Sequence, residues 1–122
     1  MKPTAAMEDY LEALLVLEQK NIETRVKNLA EELNIKPPSV IEMIKSLISK
    51  KLVSQKPREN IKLTSTGREI AKKIQTRHLA IKDFFQHILG MDEAFADSEA
   101  CKVEHCLSTE TCDKLIEYMA SL

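Results

Sequence analysis

Leu52-Val53-Ser54-Gln55-Lys56-Pro57-Arg58-Glu59-Asn60-Ile61-Lys62-Leu63 alternates apolar and polar residues, breaks at a cluster of turn formers, and alternates again. The spacing predicts two short strands, 52–56 and 61–63, joined through 57–60 as a wing-sized hairpin. Just upstream, Pro37-Pro38-Ser39 opens a helix through about Ser49. Proline suits a first helical turn, where its missing N–H would have no partner. Val40, Ile44, Leu47 and Ile48 are its expected inward face. Asn34-Ile35-Lys36 makes the turn before it, and a short helix, 25–33, precedes that turn with Thr24 as its expected N-cap. A first helix, 5–20, carries Met7, Tyr10, Leu11, Leu14, Leu15 and Leu17 at helical spacing. Helix, short helix, turn, helix and hairpin form the order of a winged helix-turn-helix DNA-binding domain, residues 1–64.

The remainder, 65–122, reads as helical. Thr64 or Ser65 caps a long helix, 66–89, that Gly90 ends as a C′ residue. Helices at 93–106 and 108–119 follow. The chain has 122 residues, 43% of them apolar, and only two glycines. Lobes of this size bury little surface alone, which favours oligomerisation. No apolar run approaches the roughly 20 residues that span a bilayer. Met1-Lys2-Pro3-Thr4 opens no signal-peptide core. A cytoplasmic protein without a membrane partner is expected.

Charge is segregated although the net value is −1. Residues 20–82 carry 15 Lys/Arg against 6 Asp/Glu, residues 83–122 carry 2 against 9, and residues 1–19 carry 1 against 4. A basic middle suits phosphate, and an acidic end suits cations. In helix-turn-helix proteins the second helix enters the major groove by its N-terminal end. Lys36 and Lys45 are placed to reach phosphates, and Ser39 a phosphate or base edge. Pro37 and Pro38 offer apolar surface suited to thymine methyls, and Met43 lies one turn on, beside Glu42 and Lys45. Glu42 either accepts from a cytosine amino group or points at solvent. Arg58, at the wing tip, is a minor-groove or backbone contact. Double-stranded DNA is the expected partner.

Cys101-Lys102-Val103-Glu104-His105 sets a thiolate, a carboxylate and an imidazole at i, i+3 and i+4, on one helical face. Asp9 and Glu12 share a face of the first helix, and His78 lies midway along the long one. Asp9, Glu12, His78, Cys101, Glu104 and His105 together make a mixed donor set. Such a set suits a divalent transition metal such as Fe(II) or Mn(II). The paired Cys and His spacing of a structural zinc site is missing. An alternative is an iron–sulfur or thiol-redox sensor using Cys101, Cys106 and Cys112. An enzyme is not expected, because a chain this short of loops has little from which to build a substrate pocket.

At these residues the sequence resembles the diphtheria toxin repressor and manganese transport regulator family. Met7-Glu8-Asp9-Tyr10-Leu11-Glu12 is similar to the family's opening, and Lys36-Pro37-Pro38-Ser39-Val40 to its recognition-helix start. Leu63-Thr64-Ser65-Thr66-Gly67 follows the wing as in the family, and Arg77-His78-Leu79 resembles its mid-helix ligand segment. Residues 99–108, Glu99 to Ser108, are the most specific stretch. The resemblance implies a mainly α protein, with a winged helix-turn-helix DNA-binding domain followed by a helical metal-binding and dimerisation domain. It implies a homodimer that binds palindromic operator DNA when loaded with Fe(II) or Mn(II). Implied dimer residues are Phe84, Phe85, Ile88, Leu89, Leu115 and Met119. A chain of this length implies the short, manganese-type architecture without the SH3-like domain of larger iron-type members.

Metal preference draws on both branches. Asp9 and Glu12 match manganese-type carboxylates, whereas Cys101 matches the iron-type thiolate. The softer thiolate tilts the choice to Fe(II) over Mn(II), with Co(II), Ni(II) or Zn(II) binding in vitro. Lys82 stands where some iron-type members carry a second-site carboxylate, a departure from that two-ion arrangement. Glu42 departs from the glutamine or lysine of well-known relatives, which implies a different operator preference.

Overall fold

A computed structural model describes residues 3–122 of the chain. The described residues form two compact units that divide within a helix, between Lys72 and Lys73. The first unit contains α1 (Ala5–Gln19), α2 (Val26–Leu33), α3 (Pro37–Ser49), the hairpin β1 (Val53–Ser54) and β2 (Lys62–Leu63), and the start of α4 (Ser65–Asp83). The second contains the rest of α4, a π-helical turn at Phe84–Ile88, α5 (Glu93–Val103) and α6 (Thr109–Ala120).

In the first unit, Thr4 caps α1 by accepting from the Met7 N–H, as an N-cap threonine should. Met7, Tyr10, Leu11, Leu14, Leu15 and Leu17 are all buried, against Leu29, Val40, Ile44, Leu47 and the hairpin residues Val53, Ile61 and Leu63. Asn34 closes α2 in the left-handed region (φ 54°), which asparagine tolerates. The hairpin is antiparallel, with Val53 opposite Leu63 and Ser54 opposite Lys62. Its strands are shorter than the alternation suggests.

Two expectations are corrected here. Ile48 does not face inward; it is 41% exposed, because the buried stripe of α3 follows Val40, Ile44 and Leu47 while Ile48 falls to its side, on the face of the exposed Ile41. Thr24 is not an N-cap either: Arg25 holds that position without a side-chain bond. Thr24 is buried and donates its hydroxyl to the Ile61 carbonyl at 2.6 Å. The Ile61 N–H donates to the Thr24 carbonyl, and the Thr24 N–H to Asn60 Oδ1. Thr24 therefore ties the entry of α2 to the returning arm of the wing. Thr24→Val keeps the shape but leaves the Ile61 carbonyl without its hydroxyl donor. Chemical denaturation should show a loss of about 1–3 kcal/mol.

In the second unit α4 stops at Asp83, and the next turn widens. The Leu89 N–H reaches the Phe84 carbonyl, five residues back, at 3.2 Å. Gly90 follows at φ 73°, the left-handed stop expected of it. Asp92 caps α5 through the Phe95 N–H, and Ser108 caps α6 through the Thr111 N–H. α5 ends at Val103 rather than at His105 or Cys106.

Candidate metal centre and nucleic-acid interface

Within the second unit, α4 and α5 face each other through polar side chains. His78 and Lys82 are four residues apart on α4; Glu93, Asp97 and Cys101 are spaced by four on α5, so each set shares a face. His78 is buried. Its Nδ1 lies 2.6 Å from Glu104 Oε2 and 3.9 Å from Cys101 Sγ. Its Nε2 lies 2.8 Å from Asp97 Oδ1. Donor atoms of His78, Asp97 and Cys101 all fall within 4.8 Å of one another. Glu104 stands just beyond α5, yet its backbone is still right-handed helical (φ −60°, ψ −31°). The i, i+3 relation to Cys101 therefore survives the end of the regular helix.

Glu104 is 1% exposed. One oxygen meets His78, while Oε1 has no hydrogen-bond partner; His105 Nε2 is 3.3 Å away, outside hydrogen-bonding geometry. A buried carboxylate oxygen left in this way is costly. His78 adds a second demand for positive charge. Both ring nitrogens face carboxylates; a neutral imidazole has one N–H and satisfies only one of them, whereas an imidazolium or a bound cation satisfies both. A cation bound among these groups satisfies the Glu104 oxygen and the carboxylates around His78, and thiolate, imidazole and carboxylate are all transition-metal donors. The residues fit a divalent transition metal.

Of the six expected ligands, His78, Cys101, Glu104 and His105 come together in the second unit. Asp9 is exposed and Glu12 half-buried on α1 of the first. Asp97 was not anticipated; its i, i+4 relation to Cys101 was the available signal. Among the described residues, Cys101, Cys106 and Cys112 form no three-donor group. Cys112 is buried, and desolvation pushes its thiol pKa up, which holds it in the unreactive protonated form.

The expected DNA-facing residues sit in the first unit. Lys36, Pro37, Pro38, Ser39, Glu42, Lys45 and Arg58 are exposed. Lys36 is the N-cap of α3. Pro37 and Pro38 lack N–H groups, so an anion at this helix start meets the Lys36 ammonium rather than those amides. Lys45 pairs with Glu42 at 3.3 Å, an exposed contact of little energetic weight. Met43 is half-buried and packs against the core. Arg58 stands at the wing tip with φ 63°. Among the expected dimer residues, Phe84, Phe85 and Leu115 line an open apolar groove with Ile81 and Val103. Ile88 and Leu89 are exposed, and Met119 is half-buried.

A winged helix-turn-helix unit followed by a helical unit with a cation-seeking cluster defines a metal-dependent transcriptional regulator. Comparison with known proteins fixes the family. The iron dependent repressor N-terminal DNA binding domain matches residues 2–61, and the iron dependent repressor metal binding and dimerisation domain matches residues 64–122. The chain belongs to this family, that of the diphtheria toxin repressor and manganese transport regulator, whose members are transcriptional regulators and not enzymes. It is 43% identical over 115 residues to the uncharacterised HTH-type transcriptional regulator MJ0568 of Methanocaldococcus jannaschii, covering 93% of this chain and 92% of that protein. It is 31% identical to the HTH-type transcriptional regulator MntR of Shouchella clausii, covering 93% and 78%. Among solved structures it resembles the manganese regulator SloR (TM-score 0.82, 27% identity, 98% of this chain and 55% of that one). It also resembles T. acidophilum IdeR (TM-score 0.79, 26% identity, 98% and 55%). The chain thus spans about half the length of these solved relatives. No described helix is long and apolar enough to cross a membrane.

Proposed function

We propose that this regulator is a cytoplasmic repressor that binds palindromic operator DNA as a homodimer when loaded with a divalent transition metal, and so controls genes of metal homeostasis. The observation that carries the reading is the buried Glu104 carboxylate, set beside His78 and Cys101 with one oxygen lacking a hydrogen bond. His78, Cys101, Glu104 and His105 are proposed ligands, and Asp9 and Glu12 on α1 are proposed to add carboxylates. Fe(II) is preferred to Mn(II) because Cys101 supplies a softer donor than oxygen.

Residues 1–64 are proposed to read DNA and residues 65–122 to bind metal and dimerise. Lys36, Pro37, Pro38, Ser39, Glu42, Met43, Lys45 and Arg58 form the proposed DNA surface. Phe84, Phe85, Ile88, Leu89, Leu115 and Met119 form the proposed dimer contact. The likeness to SloR, described as a manganese regulator, supports the metal reading, and the two matched domains support DNA and dimer partners.

Metal and operator are then linked. If metal tightens operator binding by a given factor, operator tightens metal binding by the same factor, commonly about 5–150-fold. Anaerobic gel shifts with Fe(II), Mn(II) or chelator test this. Operator affinity should fall by at least about 5-fold in chelator. Equal affinity with and without metal removes the proposal.

A further inference from the structure

Lys82 brings an ammonium into the α4–α5 contact. Its side chain is 19% exposed, low for a lysine, which is seldom buried unless paired. Its Nζ donates to Glu93 Oε1 at 3.3 Å and stands 3.9 Å from Asp97 Oδ1. That same Asp97 oxygen lies 2.8 Å from His78 Nε2. The cluster therefore has two sides. Cys101 and Glu104 lie toward Nδ1 of His78. Asp97, Glu93 and the Lys82 ammonium lie toward Nε2. Carboxylates and an imidazole nitrogen on that second side are themselves a donor set for a divalent ion, but a positive charge already stands among them.

We propose that Lys82 is a tethered cation that takes the place of a second metal ion. Its ammonium neutralises Asp97 and Glu93, occupies the space beside them, and repels a divalent cation approaching the Nε2 side. Metal is thereby confined to the Nδ1 side, at one ion per protomer. An ammonium has three donors and no acceptor, so Lys82 cannot itself ligate while it carries its charge. The role belongs to the side chain's charge and reach. Arginine at this position would keep the charge, whereas a carboxylate would reverse it and add a donor on the face shared with His78.

This inference rests on the metal reading above, and ion counting keeps the two separable. The full chain is loaded anaerobically with excess Mn(II) or Co(II), and ions per protomer are counted by native mass spectrometry, with far-UV circular dichroism to verify folding. The wild type should hold one ion. Lys82→Glu should hold two, the second bound at least about 10-fold more weakly. Lys82→Gln, which removes the charge without adding a carboxylate, should take up the second ion only at higher metal concentration, and it serves if Lys82→Glu does not fold. Two ions in the wild type, or a single ion in every folded variant, overturns the role of Lys82. No ion in the wild type overturns the metal reading beneath it.

Discussion

Glu104→Gln should abolish the response of operator binding to metal and weaken metal binding by at least about 10–100-fold, taking the loss typical of outer-shell partners as the lower bound for a ligand. Glutamine preserves volume and keeps an oxygen near His78. It removes the negative charge, and with it the donor strength that draws a divalent ion into a buried position. The substitution also separates two roles. If Glu104 serves the metal, the metal-free variant should be as stable as the wild type or more so, since a buried charge with an unsatisfied oxygen has been relieved. If Glu104 serves only to hold His78, the metal-free variant should lose stability while metal affinity stays unchanged. Isothermal titration gives the first quantity, and thermal unfolding in chelator the second.

Gly67→Ala should lower stability by about 3 kcal/mol, at the upper end of ordinary overpacking. A methyl group on Gly67 would collide with the main-chain carbonyl of Leu52. That carbonyl accepts the Thr64 N–H at 3.1 Å, while Thr64 Oγ1 donates to the Lys51 carbonyl at 2.8 Å and accepts from the Gly67 N–H. The start of α4 is therefore keyed to the chain entering the wing. No flexible side chain can yield to make room, so the helix start or the strand must move. The loss should appear as a fall in Tm of roughly 10 °C or more, with unchanged metal stoichiometry in whatever protein remains folded. A Tm within a degree of the wild type would contradict the close approach.

Much of the fold was legible because its signals are local. The leucines of α1, the prolines opening α3, the alternation around the wing and the glycine after the π turn each state a conformational preference in a few residues. The misread features depend on partners distant in sequence. Thr24 looks like a cap because threonine before a helix usually is one; its bond to Ile61 spans 37 residues and has no local mark. The widening at Phe84–Ile88 likewise went unread, since π-helical turns are rare, single-turn features of otherwise ordinary helices. Ile48 follows Ile44 by four residues and so fits the apolar period of α3, but it lies two turns on from the exposed Ile41, toward the solvent side of the helix. At the candidate site, the i, i+3, i+4 spacing identified Cys101, Glu104 and His105. Asp97 and Lys82 acquire meaning only when α4 and α5 face each other, because single acidic and basic residues on helices are ordinary surface until an opposing element is known.

An anaerobic Co(II) titration of the wild type and of Cys101→Ser, followed by absorption, tests the metal centre most directly. A saturable thiolate-to-cobalt charge-transfer band in the wild type, lost in Cys101→Ser, is the predicted result. Absence of the band in the wild type, or its persistence at full intensity in Cys101→Ser, would contradict a centre built on Cys101, His78 and Glu104.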